Sequence, residues 1–229
     1  MDDVKDTFVD SPIDQGNINW EKYYVGIAEH EKLWSYKKEH DGHVKFFLKH
    51  YNFPSNITIL DSGCGEGKNT KLLTELYDNV YGVDISQTAI DNVSKVFPKI
   101  NFSAQDVANL NFTNEFFDVI IDAGCLHTNH PMQHQKIINQ YHRILKPNGK
   151  LFFRLFFTQD DNNEYPIFWF DLDTDQFITP VKGKMPVYGL NQKTIEKLIH
   201  GLFTPDEILF EGVYGIDGVH FIYFSKINT

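Results

Sequence analysis

The chain has 229 residues, 41% of them hydrophobic and 23% charged, which suits one globular domain with a sizeable core. Its formal charge of −10 opposes a nucleic-acid-binding face, and its two cysteines, Cys64 and Cys125, oppose a disulfide-built scaffold. Without a cationic and apolar leader, or an apolar run near the ~18 residues a membrane span needs, the chain reads as soluble and cytoplasmic.

Residues 1–18 are acidic and polar and are expected as a flexible tail, with a single domain over 19–229. From Asn19 to about Tyr51, Trp20, Tyr23, Tyr24, Ile27, Val44, Phe47, Leu48 and Tyr51 recur at helical spacing, and Pro54 ends the pattern. Strands are then predicted at 56–60, 80–84, 100–106, 117–124 and 149–157. Helices are predicted between them at Lys68–Leu76, at Gln87–Val96 behind the cap Ser86, and from Pro131 to about Leu145. Apolar, non-alternating strands taking turns with helices predict an α/β, Rossmann-like, doubly wound and mostly parallel sheet, covered on both faces. Residues 158–190 break this rhythm: they mix polar and aromatic residues, carry prolines and show no sustained period. A helix over 191–203 and two strands at 207–215 and 218–227, forming an antiparallel hairpin, complete seven strands.

The segment ILDSGCGEGKN (59–69) places glycines at 63, 65 and 67 between a strand and a helix, where backbone can approach a ligand. A dinucleotide loop reads G-x-G-x-x-G. Counted from Gly63, the sixth position is Lys68, so the third glycine arrives one residue early. That spacing disfavours a nicotinamide oxidoreductase, and Asp61 beside the glycines suits a ligand with an ammonium group.

Four features in order are this loop, the acid closing VYGVD, the Asp of SAQDVANL, and FDVIIDAGCLH. Together they resemble class I S-adenosylmethionine (SAM) dependent methyltransferases, and GCGEGKNT and DAGCLHT are most similar to small-molecule enzymes of the tellurite-resistance and thiopurine type. The resemblance implies SAM as cofactor. Asp61 and the Gly63 backbone would hold its methionine end, within the loop Gly63, Cys64, Gly65 and Gly67, Cys64 itself reading as a packing residue. Asp84 would accept the ribose hydroxyls, Ile85 would pack on the adenine, and Asp106 with the Val107 N–H would meet the adenine edge. Cys125 would lie beside the sulfonium.

On the acceptor side, AGCLHTNHP lacks the acid or Asn followed by PPY of amino-group methylases and the Pro-Cys of cytosine C5 enzymes. Both absences favour a small-molecule acceptor over nucleic acid. His127 is the candidate base or substrate orienter, with a pocket-wall histidine as the alternative. His127, His130 and His134 are not expected to hold a metal, because Pro131 interrupts them and no nearby acid completes a set. Arg154, inside the apolar GKLFFRLFF, must be paired if buried, by a structural carboxylate or by an anionic substrate group. Tyr23, Tyr24, Trp34, Phe157 and Trp169 are candidate lid residues, from a helical lid over 19–52 and a substrate-side insert over 158–190. A tRNA or protein methyltransferase and a non-catalytic SAM-binding subunit are the competing readings. Acceptor atom and oligomeric state are left open.

Overall fold

Inner strands that are apolar on both faces need helices on both faces, and that arrangement is what forms. The computed structural model describes residues 13–14, 17–18, 20–29, 42–158, 165, 167–171, 176–178, 185–211 and 219–227. Two short strands, β1 (Ile13–Asp14) and β2 (Asn17–Ile18), pair antiparallel ahead of α1 (Trp20–Glu29) and α2 (Gly42–Tyr51). The alternating region comprises β3 (Thr58–Ser62), α3 (Lys68–Leu76), β4 (Asn79–Asp84), α4 (Gln87–Val96) and β5 (Asn101–Ala104). It continues through β6 (Phe117–Asp122), α5 (Pro131–Ile144) and β7 (Leu145–Phe156). The insert supplies β8 (Ile167–Asp171), β9 (Gln176–Ile178) and β10 (Met185–Tyr188), before α6 (Gln192–Ile199), β11 (Phe203–Glu211) and β12 (Val219–Lys226).

The main sheet has seven strands in the order β11-β12-β7-β6-β3-β4-β5, with only β12 antiparallel to its neighbours. This is the mostly parallel sheet with a terminal hairpin that the sequence predicts. From β3 the chain winds outward through β4 and β5, then returns to β6 and β7 on the other side. The reversal opens a crevice at the carboxyl ends of β3 and β6, where ligands bind in such sheets.

Successive residues on each inner strand serve opposite cores. Leu60, Ile120 and Phe153 pack with Ile137, Tyr141 and Leu198 from α5 and α6. Ile59, Ile121 and Phe152 pack with Phe47, Leu72 and Leu73 from α2 and α3. A period of two with both faces apolar is the pattern of a sheet buried on each side.

Three details differ from the sequence reading. The helix expected to reach residue 203 stops at Ile199, because Gly201 takes a φ of +72° and turns the chain so that buried Phe203 opens β11. The KPNG turn lies within β7. Phe117 pairs with Leu145 and Val119 with Lys150, so Lys146 to Gly149 bulge out of register around Asn148 at φ +62°. The insert, which shows no sustained period, contains a three-stranded antiparallel sheet of its own in the order β10-β8-β9. Among the described residues no helix is long and apolar enough to cross a membrane.

Candidate cofactor and acceptor site

The glycine loop leaves β3 with all three glycines in the left-handed region, at φ +68°, +50° and +85°. Each absent Cβ also makes room for a neighbour. A Cβ on Gly63 would lie 2.7 Å from Cys125 Cβ, one on Gly65 would lie 2.5 Å from Tyr24 Oη, and one on Gly67 would lie 2.6 Å from Val93 Cγ2. Gly63 is exposed and open to a ligand, whereas Gly65 and Gly67 are buried. The early third glycine therefore has a cause: Gly67 is the N-cap of α3, and its bare backbone lets α4 close against it. Cys64 turns inward, its Sγ beside Gly82, and packs with Ile90, Val93 and Phe102. It is a packing residue, and burial pushes its thiol pKa well above the usual range.

Three adjacent strands carry a buried aspartate at or next to their last residue. Asp61, 2% exposed, accepts a 2.6 Å hydrogen bond from the Thr70 hydroxyl of α3. Asp84 accepts from the Gly65 N–H and the Ser86 N–H, each at 3.0 Å, and so ties the glycine loop to the start of α4. Burial is the main cause that raises all three pKa values, Asp61 and Asp122 to about 6, with Asp84 and Asp122 adding repulsion at Asp61. Beyond Asp84, Ile85 is 55% exposed, an apolar side chain held at the mouth of the crevice. Asp106 is exposed and its Oδ1 caps the Ala108 N–H at 2.9 Å, while the Val107 side chain is buried in the core.

Helix α1 crosses this region. The Glu21 carboxylate accepts from Ser86 Oγ at 2.6 Å, from the Thr88 N–H at 3.2 Å and from the Thr88 hydroxyl, fastening α1 to the first turn of α4. Those bonds hold the Glu21 carboxyl below its ordinary pKa. One helical turn on, the Tyr24 hydroxyl lies against Gly65, and burial followed by the Asp84 charge raises its pKa well above the usual range. Tyr23 is half-buried and packs edge-on against Trp20 and Tyr24.

The other wall follows β6. Asp122 is fully buried and its Oδ1 accepts from three consecutive N–H groups, Gly124 at 3.2 Å, Cys125 at 2.7 Å and Leu126 at 3.1 Å. Its Oδ2 accepts from Tyr141 Oη at 2.9 Å. Tyr141 Oη lies 2.7 Å from Ser62 Oγ, and since its one proton goes to Asp122, the serine must donate to it. The carboxylate thereby shapes the turn that leads into a single 3-10 turn, Leu126–Thr128. His127 in that turn is 3% exposed, stacks edge-on against Phe156, and has an Nδ1 without a hydrogen-bond partner. Burial and then the Arg154 charge drive its pKa well below the usual value, so the ring is neutral at pH 7. Arg154 is half-buried, and its Nη2 would lie 3.2 Å from a Cβ on Gly124, which has φ +120°. The Cys125 thiol is raised by burial and by Asp122 and Asp84, which leaves it protonated.

The structure thus brings Gly63 to Cys125, Gly65 to Tyr24 and Asp84, and Gly124 to His127 and Arg154. Trp34 lies outside the described residues, and for Trp169 only the backbone is described, paired with Pro186 and Ile178. The three histidines diverge. His130 accepts from the Met132 N–H to cap α5, and His134 Nε2 meets the Asn129 carbonyl at 2.9 Å. Among the described residues no group of three or more His, Cys, Asp or Glu gathers as a metal set. Sequence reasoning missed Asp122, Tyr141, Thr70 and Glu21. Asp122 carried a usable signal, because ILD, GVD and IID all end on the same residue type.

An open glycine backbone, the buried Asp61, Asp84 and Asp122 without a basic side-chain partner among the described residues, and an exposed Ile85 suit a cationic nucleoside-amino acid such as SAM. Comparison with known proteins agrees. A family profile described as a methyltransferase domain matches residues 59–149. An uncharacterized methyltransferase of Schizosaccharomyces pombe is 32% identical over 102 residues, which are 43% of this chain and 70% of the relative. The fold is shared with a Burkholderia thailandensis 1,6-didemethyltoxoflavin-N1-methyltransferase holding 1,6-didemethyltoxoflavin and S-adenosylhomocysteine (SAH), at TM-score 0.67 and 17% identity over 90% of this chain and 86% of that one. It is also shared with the N-methyltransferase NodS of Bradyrhizobium japonicum bound to SAH, at TM-score 0.65 and 16% identity over 92% and 100% of the two chains. The chain belongs to the class I SAM-dependent methyltransferases, enzymes whose cofactor is SAM.

Proposed function

We propose that this methyltransferase acts on a small molecule whose acceptor atom is a nitrogen or oxygen carrying a proton. The observation that carries the reading is His127, a neutral, buried imidazole with an unpartnered Nδ1 beside Arg154. A buried ring nitrogen without a partner is costly, and an N–H or O–H on an acceptor would satisfy it. In this reading Asp61 and the Gly63 backbone hold the amino acid end of the cofactor, Asp84 the ribose, and Ile85, Asp106 and Val107 the adenine. Cys125 lines the crevice where the methyl lies, with Gly65 and Gly67 shaping the loop.

When bound, SAM supplies a methyl on a positively charged sulfur. The chain has to align the acceptor, exclude water and manage one proton, and alignment alone can account for ~7–11 kcal/mol of barrier. His127 Nδ1 accepts the hydrogen bond from the acceptor and takes its proton as the new bond forms. Arg154 holds an anionic group of the same molecule at the crevice edge. Helix α1, through Tyr23 and Tyr24, covers the donor side. From the insert, β10 packs Tyr188 against His130 beside the 3-10 turn and covers the acceptor side.

The net charge of −10 supports a small acceptor over nucleic acid. So does one fold neighbour, which holds 1,6-didemethyltoxoflavin beside SAH. Calorimetry with SAM and SAH, followed by a screen of small amines, hydroxy compounds, thiols and carboxylates for SAH production, tests the reading. Turnover on hydroxy or amino compounds carrying an anionic group is expected. Turnover confined to tRNA or protein fractions would sink it.

A further inference from the structure

The ends of β4, β3 and β6 carry Asp84, Asp61 and Asp122, all buried, at the carboxyl edge that borders the crevice. None has a basic side-chain partner among the described residues. Asp61 receives a hydroxyl, Asp84 two N–H groups, and Asp122 three N–H groups and a phenol. Buried anions compensated only by dipoles are costly, and a cationic ligand relieves that cost.

The three differ in what they can touch. On the site reading above, Asp61 and Asp84 meet the amino acid and ribose groups that SAM and SAH share. Asp122 meets neither. Its two oxygens are enclosed by the turn behind Cys125, and Cys125 in turn packs on Gly63. Its charge acts through space on whatever lies over that turn. The two ligands differ there by one methyl group and one positive charge on sulfur. We propose that Asp122 is a discriminating residue for the methyl donor, favouring the cationic sulfonium over the neutral thioether product without contacting either.

This inference rests on the site reading above. Neighbouring strands lie ~4.8 Å apart, so the charge sits within roughly 10 Å of the crevice between β3 and β6. At that range, with the effective dielectric of a protein site, a unit charge changes binding of a cation by about tenfold or somewhat more. The simpler alternative is that Asp122 only caps the turn. A lost cap would weaken both ligands alike, whereas a lost charge would weaken SAM selectively.

Calorimetry at pH 7.5 with SAM and with SAH on the full chain separates the two. Asp122→Asn and Asp122→Ser both remove the charge, and Ser keeps a hydroxyl that can still accept from a nearby N–H. Tyr141→Phe removes the phenol's hydrogen bonds to Asp122 and from Ser62 and keeps the charge. The ratio of SAM to SAH affinity is expected to fall about tenfold in both neutral variants and to stay within twofold in Tyr141→Phe. Should one neutral variant not fold, the other carries the comparison. Equal losses for both ligands, or a ratio that also collapses in Tyr141→Phe, would overturn the proposal. Failure of the site reading looks different: Asp84→Asn would then leave both affinities untouched.

Discussion

The hydroxyl of Tyr24 stands 2.5 Å from the position a Cβ on Gly65 would take, so the N-terminal helix and the glycine loop close on one another through a missing side chain. Gly65→Ala meets that hydroxyl and also holds alanine at φ +50°, a conformation costing ~1–2 kcal/mol outside glycine. SAM affinity is expected to fall at least tenfold by calorimetry. Part should return when Tyr24→Ala is added, because the phenol is the atom that must move. A double variant showing the full sum of both losses would mean the two residues do not interact.

Asp84 holds Gly65 and Ser86 through their N–H groups as well as facing the proposed ribose position. Asp84→Ala leaves two buried donors unsatisfied, at about 1–3 kcal/mol each, and is expected to lower Tm as well as binding. Asp84→Asn keeps one carbonyl acceptor and is the better probe. It leaves one of the two donors unsatisfied, so a smaller fall in Tm than in Asp84→Ala is expected, with SAM affinity reduced tenfold or more. Undiminished affinity would remove Asp84 from the cofactor site.

Burial raises the pKa of Asp61 and Asp122 to about 6. Both lose their negative charge as pH falls through that value, and a cationic ligand then meets less attraction. SAM affinity is expected to be highest above pH 7 and to fall about tenfold by pH 5. His134, with a pKa near 4, remains neutral across that window. Titration calorimetry between pH 5 and 8 checks this, and an affinity flat over the range would contradict it.

His134 makes stability fall in the same direction. Burial lowers its pKa to about 4 from an ordinary 6.5, so the unfolded chain takes up its proton first as pH falls. Its contribution is fully present above pH 6.5 and is lost between pH 6.5 and 4, by roughly 2–3 kcal/mol. His134→Gln retains a donor for the Asn129 carbonyl and cannot titrate. Denaturant unfolding should show the unaltered chain losing more stability than this variant over that interval. Parallel losses would place the acid sensitivity elsewhere.

His127→Ala separates a base from a wall residue once an acceptor is found. A drop in kcat of about 100-fold with SAM affinity within twofold is expected. A change confined to the KM of the acceptor would leave His127 as part of the wall.

What the sequence determined was local. Ser86 and Pro131 marked two helix starts, strand and helix periods marked the alternation, and three glycines with Asp84 marked the donor loop, because caps, periodicity and positive φ are properties of a few neighbouring residues. The tertiary structure decided the rest. Ser62 reaches Tyr141 across 79 residues and Glu21 reaches Ser86 across 65. Gly63 meets Cys125 only because β3 and β6 are neighbours at the point where the strand order reverses. Asp122 reads in sequence as one more apolar-strand terminus. It becomes a buried charge beneath the crevice only when strand order and the packing of α5 enclose it, and no local period encodes those.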